Sequence, residues 1–156
     1  MVLEKYAAMS KELVSMWHLG IPVTAFMQLD IETCDEQLFS LTADLNSNIN
    51  VHQTMFAGSI YSLATLTGWG AVYTELRDKG IDNKNIVLAK GEIAYKAPID
   101  HKPVAMVQRD QLSLDITLLE QNKKLRADLE VNVVCQNVIA AQFNGRFVVL
   151  PNKQVS

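Results

Sequence analysis

Between Asn50 and Thr67 the chain gathers Asn50, His52, Thr54, Ser59, Ser62, Thr65 and Thr67, with Gly58 among them, at the entrance to a stretch that is otherwise apolar. That combination suits the binding and polarising of a carbonyl. The first turn of a helix carries backbone N–H groups with no intrahelical acceptor and the positive end of the helix dipole, so the amides of Ala57, Gly58 and Ser59 can point at a ligand oxygen. Gly58 has no side chain to hold that oxygen away. For a thioester ligand the same amides would stabilise the oxyanion formed on attack, where one donor is typically worth about 10²–10³ in rate. Acid–base work then falls to His52 or to a water held by Asn50 or Thr65. Each of these residues also has a structural use. Asn50 can brace its loop, His52 can pack or face solvent, the hydroxyls of Ser59, Ser62, Thr65 and Thr67 can bond back to helix carbonyls, and Phe56 and Tyr61 can serve as wall or core.

Other chemistries lack their residues. There is no Gly-rich phosphate loop, His-Glu-x-x-His, Cys-x-x-Cys or Gly-x-Ser-x-Gly, and His18, His52 and His101 are widely separated, so neither metal hydrolysis nor a serine-hydrolase elbow is expected. Cys34 and Cys135 have neither metal-ligand spacing nor the density of a disulfide scaffold, and read as buried free thiols of a reducing compartment. No metal or organic cofactor is expected. Asp100-His101, at a turn, reads as a solvated pair.

The elements that must position the Asn50–Thr67 cluster belong to one domain, residues 1–156. Its 49% hydrophobic content and net charge of −3 exclude intrinsic disorder and allow a core that needs no staple. Lys123, Lys124 and Arg126 are too few for a phosphate-tracking surface, so nucleic acid is not an expected partner. No apolar run approaches the ~18 residues that span a bilayer, and the start lacks the pattern of a secretory leader, so a cytoplasmic, membrane-free protein is expected.

Leu3, Tyr6, Ala7, Leu13, Val14 and Trp17 recur at helical spacing and predict an N-terminal amphipathic helix that Gly20 and Pro22 stop. Ala25 to Asp30 reads as extended, Phe39 to Leu45 alternates as a strand, and residues 46–56 read as an ordered loop. From Ala57 to Leu76 almost no charged face remains, so the helix there must be enclosed on all sides, with Gly68 and Gly70 marking close approach of another backbone. Ile86 to Pro98 predicts a strand burying Val87, Ala89, Ile93 and Tyr95, and Val104 to Arg109 a short one. Leu112, Ile116 and Leu119 suggest a short surface helix. Leu125–Cys135 and Val138–Leu150 form a hairpin through Gln136-Asn137. The order of these elements implies an α+β fold in which a curved antiparallel sheet wraps one long buried helix.

The run Asn50-Val-His-Gln-Thr-Met-Phe-Ala-Gly-Ser-Ile-Tyr-Ser-Leu-Ala-Thr resembles the loop and central-helix start of hot-dog-fold thioesterases of the phenylacetic-acid type, whose pattern is Asn-x-x-x-x-x-His-Gly-Gly-x-x-x-x-Leu-Ala-Asp. Thr54-Met-Phe-Ala-Gly-Ser-Ile-Tyr-Ser-Leu-Ala-Thr-Leu-Thr-Gly-Trp is closer still to the thioesterase domain at the C-terminus of YiiD-like proteins, and the similarity runs on to Ala141-Gln-Phe-Asn-Gly-Arg-Phe-Val. The resemblance implies the hot-dog fold, a homodimer or dimer of dimers with the acyl site at the subunit interface, and hydrolysis of acyl-CoA or acyl-carrier-protein thioesters. By position, Asn50 matches the family Asn and Gly58 the second Gly, whereas Phe56 replaces the His and Thr65 the catalytic Asp or Glu. The acyl tail would then lie beside the central helix against Phe56, Tyr61 and Leu63, with Thr54, Ala57, Ser59 and Ser62 as further substrate-binding residues and the pantetheine arm near Lys96. Because a threonine hydroxyl does not ionise near neutrality, a second expectation stands beside the hydrolase: an acyl-thioester binding domain without catalysis.

Overall fold

The computed structural model describes residues 1–152. Its core begins with the alternating strands β5 (Leu125–Cys135) and β6 (Val138–Val149), whose register runs from Leu125 opposite Val149 to Cys135 opposite Val138. The two turn residues, Gln136 and Asn137, have φ of 48° and 65°, the left-handed pair that a two-residue hairpin needs to match strand twist. With β1 (Asp30–Cys34), β2 (Leu38–Thr42), β3 (Ile86–Tyr95) and β4 (Val104–Gln108) they form a six-stranded antiparallel sheet of order β1-β2-β4-β5-β6-β3.

One face of this sheet wraps α3 (Ala57–Asp78), the hot-dog arrangement. Twelve residues of α3, from Ile60 to Leu76, are buried, but Tyr61, Ser62, Thr65 and Trp69 make a half-buried stripe, so the helix is not enclosed on every side. Rings rather than another backbone explain its glycines: a methyl group on Gly68 would lie 2.6 Å from the ring of Phe147, and one on Gly70 2.5 Å from that of Phe39. The amphipathic α1 (Glu4–Gly20) buries Tyr6, Met9, Leu13 and Trp17. At the C-terminal end of α3 the buried Arg109 donates to the Tyr6 hydroxyl (2.9 Å), the Asp35 carbonyl (2.7 Å), Glu75 Oε2 (2.7 Å) and Asp78 Oδ2 (2.5 Å).

Three local expectations are corrected. Pro22–Phe26 form a short helix, α2, which takes in Ala25 and Phe26 of the segment expected to be extended from Ala25 to Asp30, because Pro22 sits in a first turn that has no use for its missing N–H. The chain then turns at Gln28 (φ 51°), and the strand begins only at Asp30. In β3 a bulge between Leu88 and Lys90 breaks the period of two. Ile86, Leu88, Gly91 and Ile93 therefore turn inward, while Val87 and Tyr95 are 45% and 50% exposed. Of the helix expected over 112–119 only α4 (Thr117–Glu120) exists, and Leu112 and Leu114 are buried ahead of it in non-helical backbone. Asp115 Oδ1 accepts from the Thr117 amide (3.1 Å) and hydroxyl (2.6 Å), bonds that favour starting the helix after Asp115.

Candidate active site at the head of the central helix

The entrance to α3 is built by a closed loop. Backbone bonds from Phe56 N to Asn48 O (2.7 Å) and from Asn50 N to Thr54 O (2.8 Å) bring its two limbs together, and Met55 N donates to Ile99 O (2.7 Å) in the neighbouring strap between β3 and β4. The buried Asn48 ties the base of the loop to the rest of the fold, with Nδ2 donating to the carbonyls of Met27 (2.9 Å) and Asp44 (2.6 Å). Asn50 works within the loop. Its Oδ1 accepts from the amides of His52 (2.8 Å) and Thr54 (3.2 Å), and its Nδ2 lies 3.0 Å from Thr54 Oγ1. Asn50 and Thr54 thus brace each other, while His52 is exposed on the loop.

The first turn of α3 has no side-chain cap: Phe56 occupies that position in extended conformation, and the first intrahelical bond runs from Ile60 N to Phe56 O (3.0 Å). The amides of Ala57, Gly58 and Ser59 therefore have no acceptor in the helix, and all three residues are exposed or half-buried. Phe56 does not bury its ring. It is 55% exposed and folds back over Gly58, where a methyl group would come within 2.5 Å of its Cε1.

One turn on, Ser62 Oγ donates to the Gly58 carbonyl (2.9 Å), and the Tyr95 hydroxyl donates to the Ala57 carbonyl (3.0 Å), which leaves the amides as the free polar groups of that turn. Burial, with Tyr61 nearby, raises the Tyr95 phenol above its ordinary pKa, so it remains a donor at neutral pH. Tyr61 packs edge-on against Phe143, with ring centroids 5.2 Å apart, and its hydroxyl rests against Gly91.

Gly58, Tyr61, Ser62 and Thr65 follow the three-to-four spacing of one helix face. That face opens into a groove of about 300 Å³ lined by Ile21, Val23, Tyr61, Ser62, Thr65, Leu66 and Leu88. No carboxylate is among these residues, and the Thr65 hydroxyl is buried without a hydrogen-bond partner among the described residues. Lys96 stands outside the groove, its ammonium donating to Gln142 Oε1.

The fold thus gathers the amides of Ala57, Gly58 and Ser59 with Phe56, Tyr61, Ser62 and Thr65 at one helix head, and directs Asn50 and Thr54 into their own loop. The sequence reading missed Tyr95, assigned there to a buried strand face, and the apolar wall of Ile21, Val23 and Leu88. The mixed Ile21-Pro22-Val23 pattern carried no period that pointed to the groove.

Comparisons with known proteins agree with this architecture. The family model described as "Putative thioesterase (yiiD_Cterm)" matches residues 10–151. A crystal structure of a putative thioesterase from Shewanella oneidensis is 38% identical, with a TM-score of 0.85, and the match covers 91% of this chain and 97% of that one. A protein of unknown function from Chlorobaculum tepidum is 30% identical with a TM-score of 0.84, over 92% of this chain and 95% of that one. A probable thioesterase from Pseudomonas aeruginosa shares the fold at 14% identity, with a TM-score of 0.71 and coverage of 91% and 95%.

Proposed function

The chain belongs to this thioesterase family of YiiD C-terminal domains, and from that premise we propose that it hydrolyses acyl thioesters, water and the acyl-CoA or acyl-carrier-protein thioester giving a carboxylic acid and a free thiol. The observation that carries the reading is the set of amides at Ala57, Gly58 and Ser59 without a helical acceptor, at the head of α3 and one turn before Tyr61 and Ser62 of the apolar groove. The thioester carbonyl oxygen accepts from these amides, which strengthen their hold as charge develops on it. The acyl tail follows Phe56, Tyr61 and the groove, and the pantetheine arm leaves past Lys96. Asn50 and Thr54 act through the loop that sets the start of α3.

In this scheme Thr65, which lines the groove, turns its buried and unpartnered hydroxyl toward the attacking water by rotation about χ1, and spacing decides from which subunit. Seven residues of helix separate Gly58 from Thr65, a rise of about 10 Å. A carbonyl bound at the amides and a water about 3 Å from its carbon span that distance only when fully stretched. We therefore assign the amides to one subunit of a homodimer and Thr65 to the other. Support for a dimer comes from β3, an edge strand that among the described residues pairs only with β6, and from Ile21, Val23 and Val87, which are 41%, 55% and 45% exposed. His52, exposed beside the loop, takes the proton of the attacking water in this scheme. We place the enzyme in the cytoplasm, a reading supported by its two free cysteines; among the described residues no helix is long and apolar enough to cross a membrane.

One observation favours a second reading, an acyl-thioester binding domain without turnover: the groove carries threonine and no carboxylate. Thiol release from short, medium, long and aryl acyl-CoAs separates the two. Turnover establishes the hydrolase. Thermal stabilisation by the same compounds without thiol release establishes the binding domain.

A further inference from the structure

We propose that Asp100, His101 and Cys135 form a binding site for a divalent transition-metal ion of the zinc class, Zn²⁺ or Co²⁺, at the end of the β5–β6 hairpin. The three residues reach one point from two segments. Asp100 and His101 lie in the strap between β3 and β4, and Cys135 is the last residue of β5. One ligating atom from each, a carboxylate oxygen, an imidazole nitrogen and the sulfur, lie within 4.8 Å of one another.

The sulfur is the telling member. Cys135 is only 6% exposed, yet its Sγ faces the exposed pair, 4.0 Å from Asp100 Oδ1 and 3.8 Å from the His101 carbonyl. Both are long, weak bonds donated by the thiol, so the sulfur is aimed at the pair and held there only loosely. Imidazole and carboxylate meet at 2.8 Å between Nδ1 and Oδ1, both side chains being more than half exposed.

Tetrahedral zinc bonds sulfur at about 2.3 Å and nitrogen or oxygen at about 2.0–2.2 Å, which places its donors roughly 3.3–3.6 Å apart. The Asp–His contact must open by about half an ångström, the thiol–carboxylate contact close by a similar amount, and the sulfur and imidazole, within 4.8 Å of each other, approach by up to about 1.3 Å. Exposed side chains make such shifts by small χ rotations. A thiolate with an imidazole selects borderline metals over Mg²⁺ or Ca²⁺, whose ligands are oxygens. The protons balance as follows: the thiol proton leaves to solvent, and the neutral imidazole, which donates Nδ1–H to Asp100 without the ion, carries its proton on Nε2 instead so that Nδ1 binds the ion in place of that hydrogen bond. Three protein donors leave a fourth position to water. Occupancy would also brace the helix head, because Ile99, next to Asp100, accepts the Met55 amide in the loop that leads into α3.

The test is a Co²⁺ titration of the reduced protein followed by absorbance, with a Zn²⁺ thermal shift in parallel. The expected result is a saturable thiolate-to-cobalt charge-transfer band that Zn²⁺ abolishes by competition. Cys135→Ser loses the band, and His101→Ala weakens binding by at least the ~10–100-fold that loss of an outer-shell partner costs. Cys34→Ser, which alters the other buried thiol, keeps it. Absence of the band, or its persistence in Cys135→Ser, overturns the proposal. His101→Ala changes an exposed side chain and is expected to fold, so unaltered Co²⁺ binding in that variant overturns it as well.

Discussion

The ring of Phe56 lies over the backbone of Gly58, occupying the space that a side chain on Gly58 would need. The two residues share the mouth of the proposed oxyanion site, one as its floor and the other as a movable cover. Gly58→Val is expected to push the exposed ring outward and set a branched side chain in front of the amides. The expected loss in kcat/KM is about 10²-fold or more, the scale of one oxyanion donor, with little change in Tm. Phe56→Ala in the same background removes the clash and leaves the valine. Activity that stays low in the double variant locates the effect at the amides, and recovery would locate it in the displaced ring.

Asn50 is bound up with Thr54 and the His52 amide, so its removal strikes the loop before it strikes substrate. Asn50→Ala is expected to lower stability by about 0.5–1.5 kcal/mol, the usual net worth of a hydrogen bond whose partners keep access to water. Activity falls with it, mainly because the start of α3 loses its register. Asn50→Asp keeps the acceptor for both amides and is expected to retain more of the stability. Chemical denaturation of the three proteins beside their kcat and KM checks this. A loss of kcat in Asn50→Ala at unchanged stability would instead assign Asn50 to the substrate.

The network at the other end of α3 gives the fold an acid limit. Burial works to raise the pKa of Asp78, but hydrogen bonds from Arg109 and Tyr6 overcome it and hold the carboxyl below its ordinary 3.8. A carboxyl depressed in the folded state contributes stability that is complete above the unfolded value and is lost as pH falls through the folded one. Tm is therefore expected to hold from neutrality to about pH 5 and to decline below pH 4. Asp78→Asn is expected to lower Tm at pH 7 and to flatten that acid decline. Arg109→Ala, which leaves Glu75 and Asp78 facing each other without a cation, is expected to cost about 3–5 kcal/mol.

How much of this could be read in advance follows from the range of the contacts. The hairpin β5–β6 and the helix α3 rest on local patterns, strict alternation and a stretch without charge from Ala57 to Thr74, and both are legible in the sequence. Gly68 and Gly70 were legible as points of close approach, but not that the rings of Phe147 and Phe39 make it. The bulge in β3 adds one residue to a period of two, and no residue type between Leu88 and Lys90 announces it, so Val87 and Tyr95 read as buried. The groove joins α2, α3 and Leu88 of β3, three segments whose meeting no local period encodes. Arg109 looked like the charged end of a short strand and proved to be a buried cation, because its partners Tyr6, Glu75 and Asp78 are distant in sequence.

Subunit mixing tests the assignment of Gly58 and Thr65 to different chains of a dimer. Thr65→Val removes a hydroxyl that is buried and has no partner, so the variant is expected to fold at least as stably as the parent. Its hydrolysis is expected to fall because the attacking water loses its anchor. Gly58→Val is inactive for the separate reason that the carbonyl cannot reach the amides. When the two variants are unfolded together and refolded, each mixed dimer contains one site with both defects and one with neither. Random pairing makes about half of the dimers mixed, so the mixture is expected to regain about one quarter of wild-type activity, while each variant refolded alone stays inactive. If both residues served the same site from one chain, every site in the mixture would carry one defect or the other, and mixing would restore nothing.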